Sequence, residues 1–160
     1  MCLRYAATPA ACLLHMDSIA AYRKSADLQM RIGVPVGIAA VTLVSVHILL
    51  WLPALATGSA EPGDSGFVTA TAIWVSRDLC ALLSAILGVF FIASRRFNDP
   101  KWGVPISAAI AVFVGGGLGV VWTIFGPSYW MLILDIAILV ALCHRVGHDR
   151  RINKANRARQ

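Results

Sequence analysis

The sequence predicts an all-α fold, a polytopic integral membrane four-helix bundle, and three observations carry that reading. Of its 160 residues 58% are hydrophobic and only 14% charged, against roughly 45–50% and about 25% in soluble domains. Four apolar segments follow one another, each near the roughly 20 residues that a spanning helix needs. The basic residues fall almost entirely in alternate intervals between those segments. Together these exclude an ordinary soluble enzyme, a disordered chain and a basic domain that binds nucleic acid on a soluble face. Alternating strand patterns are absent. Helices are therefore the expected spanning element, since lipid offers backbone polar groups no water partner.

Residues 1–31 read as an N-terminal cytoplasmic segment. Met1–His15 carries Arg4 and an apolar run broken by Pro9, too short and interrupted for a signal peptide. Translation starts either at Met1 or at Met16. From Met16, Ile19, Tyr22, Ala26 and Met30 share one face of a short helix that would lie on the inner membrane surface. The four-span domain covers residues 32–146. The first span, 32–57, has no charge between Arg31 and Glu61, and the second, 67–94, is long but holds Arg77 and Asp78. The third, 104–125, is uncharged, and the fourth, 127–146, holds Asp135 alone before His144-Arg145. Between them lie the turn-rich stretch 58–66, a loop with Asn98-Asp99-Pro100, and Gly126-Pro127. Residues 147–160 form a basic tail, expected to fray.

Net charge is +6, and of the fourteen basic residues only Arg77 lies away from the N-terminal segment, the second loop, and the end of the fourth span with its tail. The positive-inside rule makes that side cytoplasmic, with both termini inside a cell membrane crossed several times. The tail should attract anionic inner-leaflet lipid, at roughly 1 kcal/mol per basic residue near the surface.

Arg77 and Asp78 are the most informative residues. A charge at the centre of a spanning helix costs roughly 2.5–3.5 kcal/mol on insertion scales. Three readings stay open: Arg77 snorkels to the outer interface, it joins a buried ion pair, or it belongs to a substrate or proton site. Asp135 lies at a similar depth in the outer half, so an Arg77–Asp135 pair is expected, with Asp78 left as a second acid that either shares Arg77 or accepts a proton. His47 and Trp51 are four residues apart on one face of the first span. Trp74 precedes Arg77 by one turn, and Trp122 lies near the outer end of the third span. These tryptophans suit an interfacial belt. The set His47, Trp51, Trp74, Arg77, Asp78, Trp122 and Asp135 is also the best candidate for a substrate-binding cleft opening outward.

The third span carries Ser107, Ala111, Gly115 and Gly119 at four-residue spacing, which lets another helix approach closely. That face serves either an intramolecular contact or a homodimer seam. The four cysteines, Cys2, Cys12, Cys80 and Cys143, show no CxxC spacing and read as small packed hydrophobes. His144 and His148 share a helical face with Asp149 beside them, but no third and fourth ligand completes a metal site. Catalytic triads, HExxH and phosphate loops are absent, so the sequence assigns no catalytic residue, and no metal or cofactor is expected.

The stretch Ala72-Ile73-Trp74-Val75-Ser76-Arg77-Asp78-Leu79, followed by an apolar helix, a basic turn and two further spans, resembles the DoxX-like small four-helix bacterial membrane proteins. The likeness covers residues 67–145. Gly115–Gly117 departs from it, standing where a polar or acidic residue is common in such proteins. The resemblance implies a bacterial inner-membrane protein, with some relatives tied to redox or quinone-linked systems. The expected function is a non-enzymatic accessory subunit or binding module, with a homodimer or a membrane complex as partner and no nucleic acid. The alternatives are a membrane enzyme or redox component acting on a quinone or isoprenoid, and a small transporter.

Overall fold

The computed structural model describes residues 31–58, 61–97, 102–125 and 128–158. The expected short helix after Met16, the choice of starting methionine, and Cys2 and Cys12 lie outside the described residues.

Four helices are each long and apolar enough to cross a membrane: α1, Arg31–Thr57; α2, Phe67–Ala93; α3, Gly103–Phe125; and α4, whose apolar span is Tyr129–Ala155. No strand occurs among the described residues. The α1–α2 and α3–α4 connections lie at one end, called here the acidic end after Glu61 and Asp64. Arg95, Arg96 and the last turns of α4 mark the basic end. Large apolar side chains face outward all round, with Leu52 at 77% exposure and Phe113 at 87%. Such a surface is stable only against lipid or another apolar body.

Each helix shows its sequence locally. In α1 a turn at Leu50 separates two helical stretches. Pro53 has no N–H to offer the Leu49 carbonyl, so the ladder is interrupted there. Bonds from Leu50 N to Val46 O and Ala54 N to Leu50 O keep the two parts in one rod. In α2 the buried residues Ala70, Arg77, Ala81, Ser84, Gly88 and Phe91 form one stripe, mostly of small side chains. The turn before it uses Gly63 at a φ of 111°, a conformation that suits glycine.

A π-helical turn, Ala111–Gly115, interrupts α3. Around it, α3 lies close against the α2 backbone. A Cβ on Gly115 would sit 2.6 Å from Ile86 Cα and 2.8 Å from the Ala85 carbonyl oxygen, and one on Gly119 would sit 2.7 Å from Leu82 Cα. Ser107 and Ala111 are buried on the same helix, and the Ser107 hydroxyl donates to the Gly103 carbonyl. Gly116 and Gly117 have open space beside them.

Helix α4 runs Tyr129–Arg157, so residues 147–157 are helical where fraying was expected. Arginine, lysine and alanine are good helix formers. Asp149, fully buried, also forms an ion pair with Arg95 just beyond α2. The core has two parts. Ala40, Val44, Phe91, Leu142 and Val146 join α1, α2 and α4, and Ala81, Ala85 and Trp122 join α2 and α3.

Candidate functional site

The polar groups of three spans meet toward the acidic end. At a 1.5 Å rise per residue, Arg77 lies about 15 Å along α2 from Phe67, and Asp135 about 9 Å along α4 from Tyr129. His47, on the last turn of α1 before the Leu50 break, sits between them. Its Nδ1 is 3.1 Å from the Arg77 carbonyl oxygen and its Nε2 is 3.0 Å from Asp135 Oδ2. The Trp51 indole N–H, one turn along α1, points at the same Nε2 from 3.3 Å. The Trp122 ring lies 5.9 Å from the imidazole, and the Trp51 ring meets it edge-on at 6.4 Å.

Arg77 turns back along its own helix. Its Nε and Nη2 donate to Asp78 Oδ1 at 2.9 and 2.5 Å. Its guanidinium carbon stands 4.7 Å from the Trp74 ring centroid, a cation–π contact. Arg77 is 2% exposed, His47 3%, Asp135 0% and Asp78 29%. Arg77 Nη1 and Asp135 Oδ1 are buried and have no hydrogen-bond partner among the described residues.

All seven residues grouped by depth in the sequence are thus joined by contacts, in two side-chain groups linked through the Arg77 main-chain carbonyl, but not as expected. Asp135 pairs with His47, and Arg77 pairs with Asp78. The expected Arg77–Asp135 bridge is absent, and of the two roles expected for Asp78 it takes the first, holding Arg77 without Asp135. Adjacent residues leave a helix about 100° apart, which argues against their pairing when only Cβ directions are considered. The long arginine side chain overcomes that separation. Nor is there one open cleft lined by all seven. His47, Trp51, Arg77, Trp122 and Asp135 are buried, and only Trp74 and Asp78 line a small vestibule of about 260 Å³, together with Thr57, Thr71 and their neighbours.

A larger space was not foreseen in the sequence. A cavity of about 450 Å³ has walls from all four helices, including Val44, Ser84, Gly88, Leu118, Ile138 and Leu142. Trp122, which touches His47 on its other side, is part of its wall toward the acidic end, and Arg145 stands at its basic end. A second space, of about 610 Å³, shares Val89 and Ile92 with it and reaches Arg96. The sequence signal for this cavity is the succession Ser84, Ala85, Gly88 on α2: small residues where a tightly filled bundle would carry large ones. Arg95–Asp149, the other missed feature, was legible only as an isolated acid in a basic tail.

No group of three or more His, Cys, Asp or Glu side chains able to hold a metal occurs among the described residues. Cys80 is partly buried and Cys143 exposed, and both are free.

Fold and site together define a small multi-pass membrane four-helix protein, with a buried polar cluster above an apolar intramembrane cavity. Compared with protein-family models, curated proteins and solved structures, the chain shows no match.

Proposed function

We propose that the protein is a non-enzymatic binding module of a bacterial inner membrane, holding the apolar chain of an anionic amphiphile in the four-helix cavity. Both termini are cytoplasmic in this reading, supported by the placement of thirteen of the fourteen basic residues. The basic end then meets the inner leaflet, whose anionic lipid attracts the end of α4. The DoxX-like arrangement around Arg77-Asp78-Leu79 belongs to the same reading, as does service as an accessory subunit to a membrane partner or a second copy.

One observation carries the ligand class: an apolar cavity of about 450 Å³ with an arginine at one end. The volume lies within the usual range for ligand pockets, roughly 300–1,000 Å³. Ser84 to Ile92 and Ile138 to Arg145 span about 10–12 Å along their helices, room for part of an acyl or isoprenoid chain. Lipid tails are as apolar as the cavity wall, so the hydrophobic effect gives such a chain little reason to leave the bilayer. Selection must come from shape and from the head group. Arg145 and Arg96 have no partner among the described residues, and an anionic head group would supply one by a charge-assisted hydrogen bond.

The test is native mass spectrometry of the purified protein in mild detergent, offered anionic and zwitterionic phospholipids of equal chain length. The wild type should retain the anionic lipid preferentially. Gly88→Leu, whose side chain would enter the cavity, should lower retention of both, and Arg145→Gln with Arg96→Gln should remove the preference. Retention unaffected by Gly88→Leu in a folded variant would overturn the cavity assignment.

A further inference from the structure

The contacts of His47 fix where protons stand. Its Nδ1 faces the carbonyl oxygen of Arg77 at 3.1 Å. A carbonyl only accepts, so this contact is a hydrogen bond only with a proton on Nδ1. Nε2 then faces Asp135 Oδ2 at 3.0 Å, while the Trp51 indole N–H stands 3.3 Å from the same nitrogen, a longer contact that is a hydrogen bond only while Nε2 keeps its lone pair. With Nε2 bare and Asp135 ionised, two lone-pair atoms would oppose each other at hydrogen-bonding distance. The contact needs one further proton, carried by either atom.

Charge balance leads to the same count. Arg77 and Asp78 neutralise each other through two hydrogen bonds. The remaining charge belongs to the His47–Asp135 pair, which is neutral with the second proton and carries −1 without it. Both side chains are almost wholly buried, and Asp135 Oδ1 has no partner among the described residues to stabilise a bare carboxylate. An unpaired ion at such a site is costly. Arg77 and Asp78 are the only other charged side chains hydrogen-bonded or ion-paired at this cluster among the described residues. Trp51 and Trp122 meet the imidazole from α1 and α3.

We propose that His47 and Asp135 form a proton-binding site inside the membrane bundle, holding one proton across the Nε2–Oδ2 contact. Removing that proton leaves an uncompensated charge in the bundle. Separating the two residues requires the proton to stay with one of them, with a new partner for each. Any movement of α4 away from α1, or any ligand that inserts between them, is therefore coupled to this proton. This coupling is independent of the lipid-binding reading, since it rests on α1–α4 geometry and not on the cavity.

The experiment is infrared and ¹⁵N-histidine NMR spectroscopy of the full chain in detergent at neutral pH, with Asp135→Asn and His47→Gln for assignment. A carboxylic-acid carbonyl band lost in Asp135→Asn places the proton on Asp135 and supports the site. Two N–H signals on His47, falling to one in Asp135→Asn, place it on the imidazole and support the site equally. The asparagine amide can donate to Nε2 in place of the shared proton, so this variant should keep the wild-type melting temperature. Asp135→Leu should melt lower. A single N–H on His47 in the wild type, with no carboxylic-acid band sensitive to Asp135→Asn, would overturn the proposal. So would a single N–H on Nε2.

Discussion

Arg77 shows how a charged residue is tolerated in a spanning helix without a partner on another helix. Its guanidinium folds onto Asp78 and lies against Trp74, so the counter-charge and the aromatic face come from its own helix. Asp135 is left to His47. A double-mutant cycle separates this arrangement from the interhelical pair expected on depth alone. Arg77→Gln with Asp78→Asn should give a coupling energy of about 1 kcal/mol, the scale of polar contacts in membrane proteins. Arg77→Gln with Asp135→Asn should couple by less than about 0.5 kcal/mol, as for residues without a shared contact. Melting of the four proteins in one detergent supplies both numbers. The membership of this cluster was legible because depth along each span can be counted from the loops. The pairing was not, because depth says nothing of which way each helix is turned, or how far a flexible side chain reaches back.

Helix α3 was the element best described by its residue pattern. The four-residue spacing of Ser107, Ala111, Gly115 and Gly119 marks a smooth face, and Gly115 and Gly119 lie where a Cβ would strike the α2 backbone. Backbone cannot turn aside as a side chain can, so a substitution here must push the helices apart. Gly115→Leu and Gly119→Leu should each lower the melting temperature in detergent markedly. Val112→Leu and Val120→Leu, at exposed positions of the same helix, should leave it within error. Equal effects at all four would mean that α3 does not pack through this face. The π-turn at Ala111–Gly115 left no sequence signal of its own. Nor did the continuation of α4 beyond its apolar span, since hydropathy marks where a helix enters lipid and not where it ends.

Across the whole molecule, α4 is the least enclosed helix. In its most apolar window 17% of residues are buried, against 33% for α2. It borders the cavity, and its buried apolar contact with α1 and α2 is confined to Leu142 and Val146. Polar pairs add to that hold on either side of the cavity: Asp135 with His47 of α1, and Asp149 with Arg95 at the end of α2. Lipid competes well with apolar packing, whereas a buried carboxylate has no comparable alternative partner in the bilayer. Asp149 is fully buried and Arg95 only partly exposed, so removing Arg95 leaves the carboxylate only the longer contact with the His148 imidazole at 3.5 Å. Arg95→Met should therefore destabilise by about 3 kcal/mol, the low end for breaking a buried pair. The double change Arg95→Met with Asp149→Leu should recover most of that loss, because no ion remains to be compensated. Thermal melting in detergent, with lipid retention measured on the same samples, reads both effects. If the double variant recovers stability but loses retained lipid, the ion pair closes the basic end of the cavity. If Arg95→Met alone melts like the wild type, α4 is held by its apolar face, and the account of two polar anchors fails.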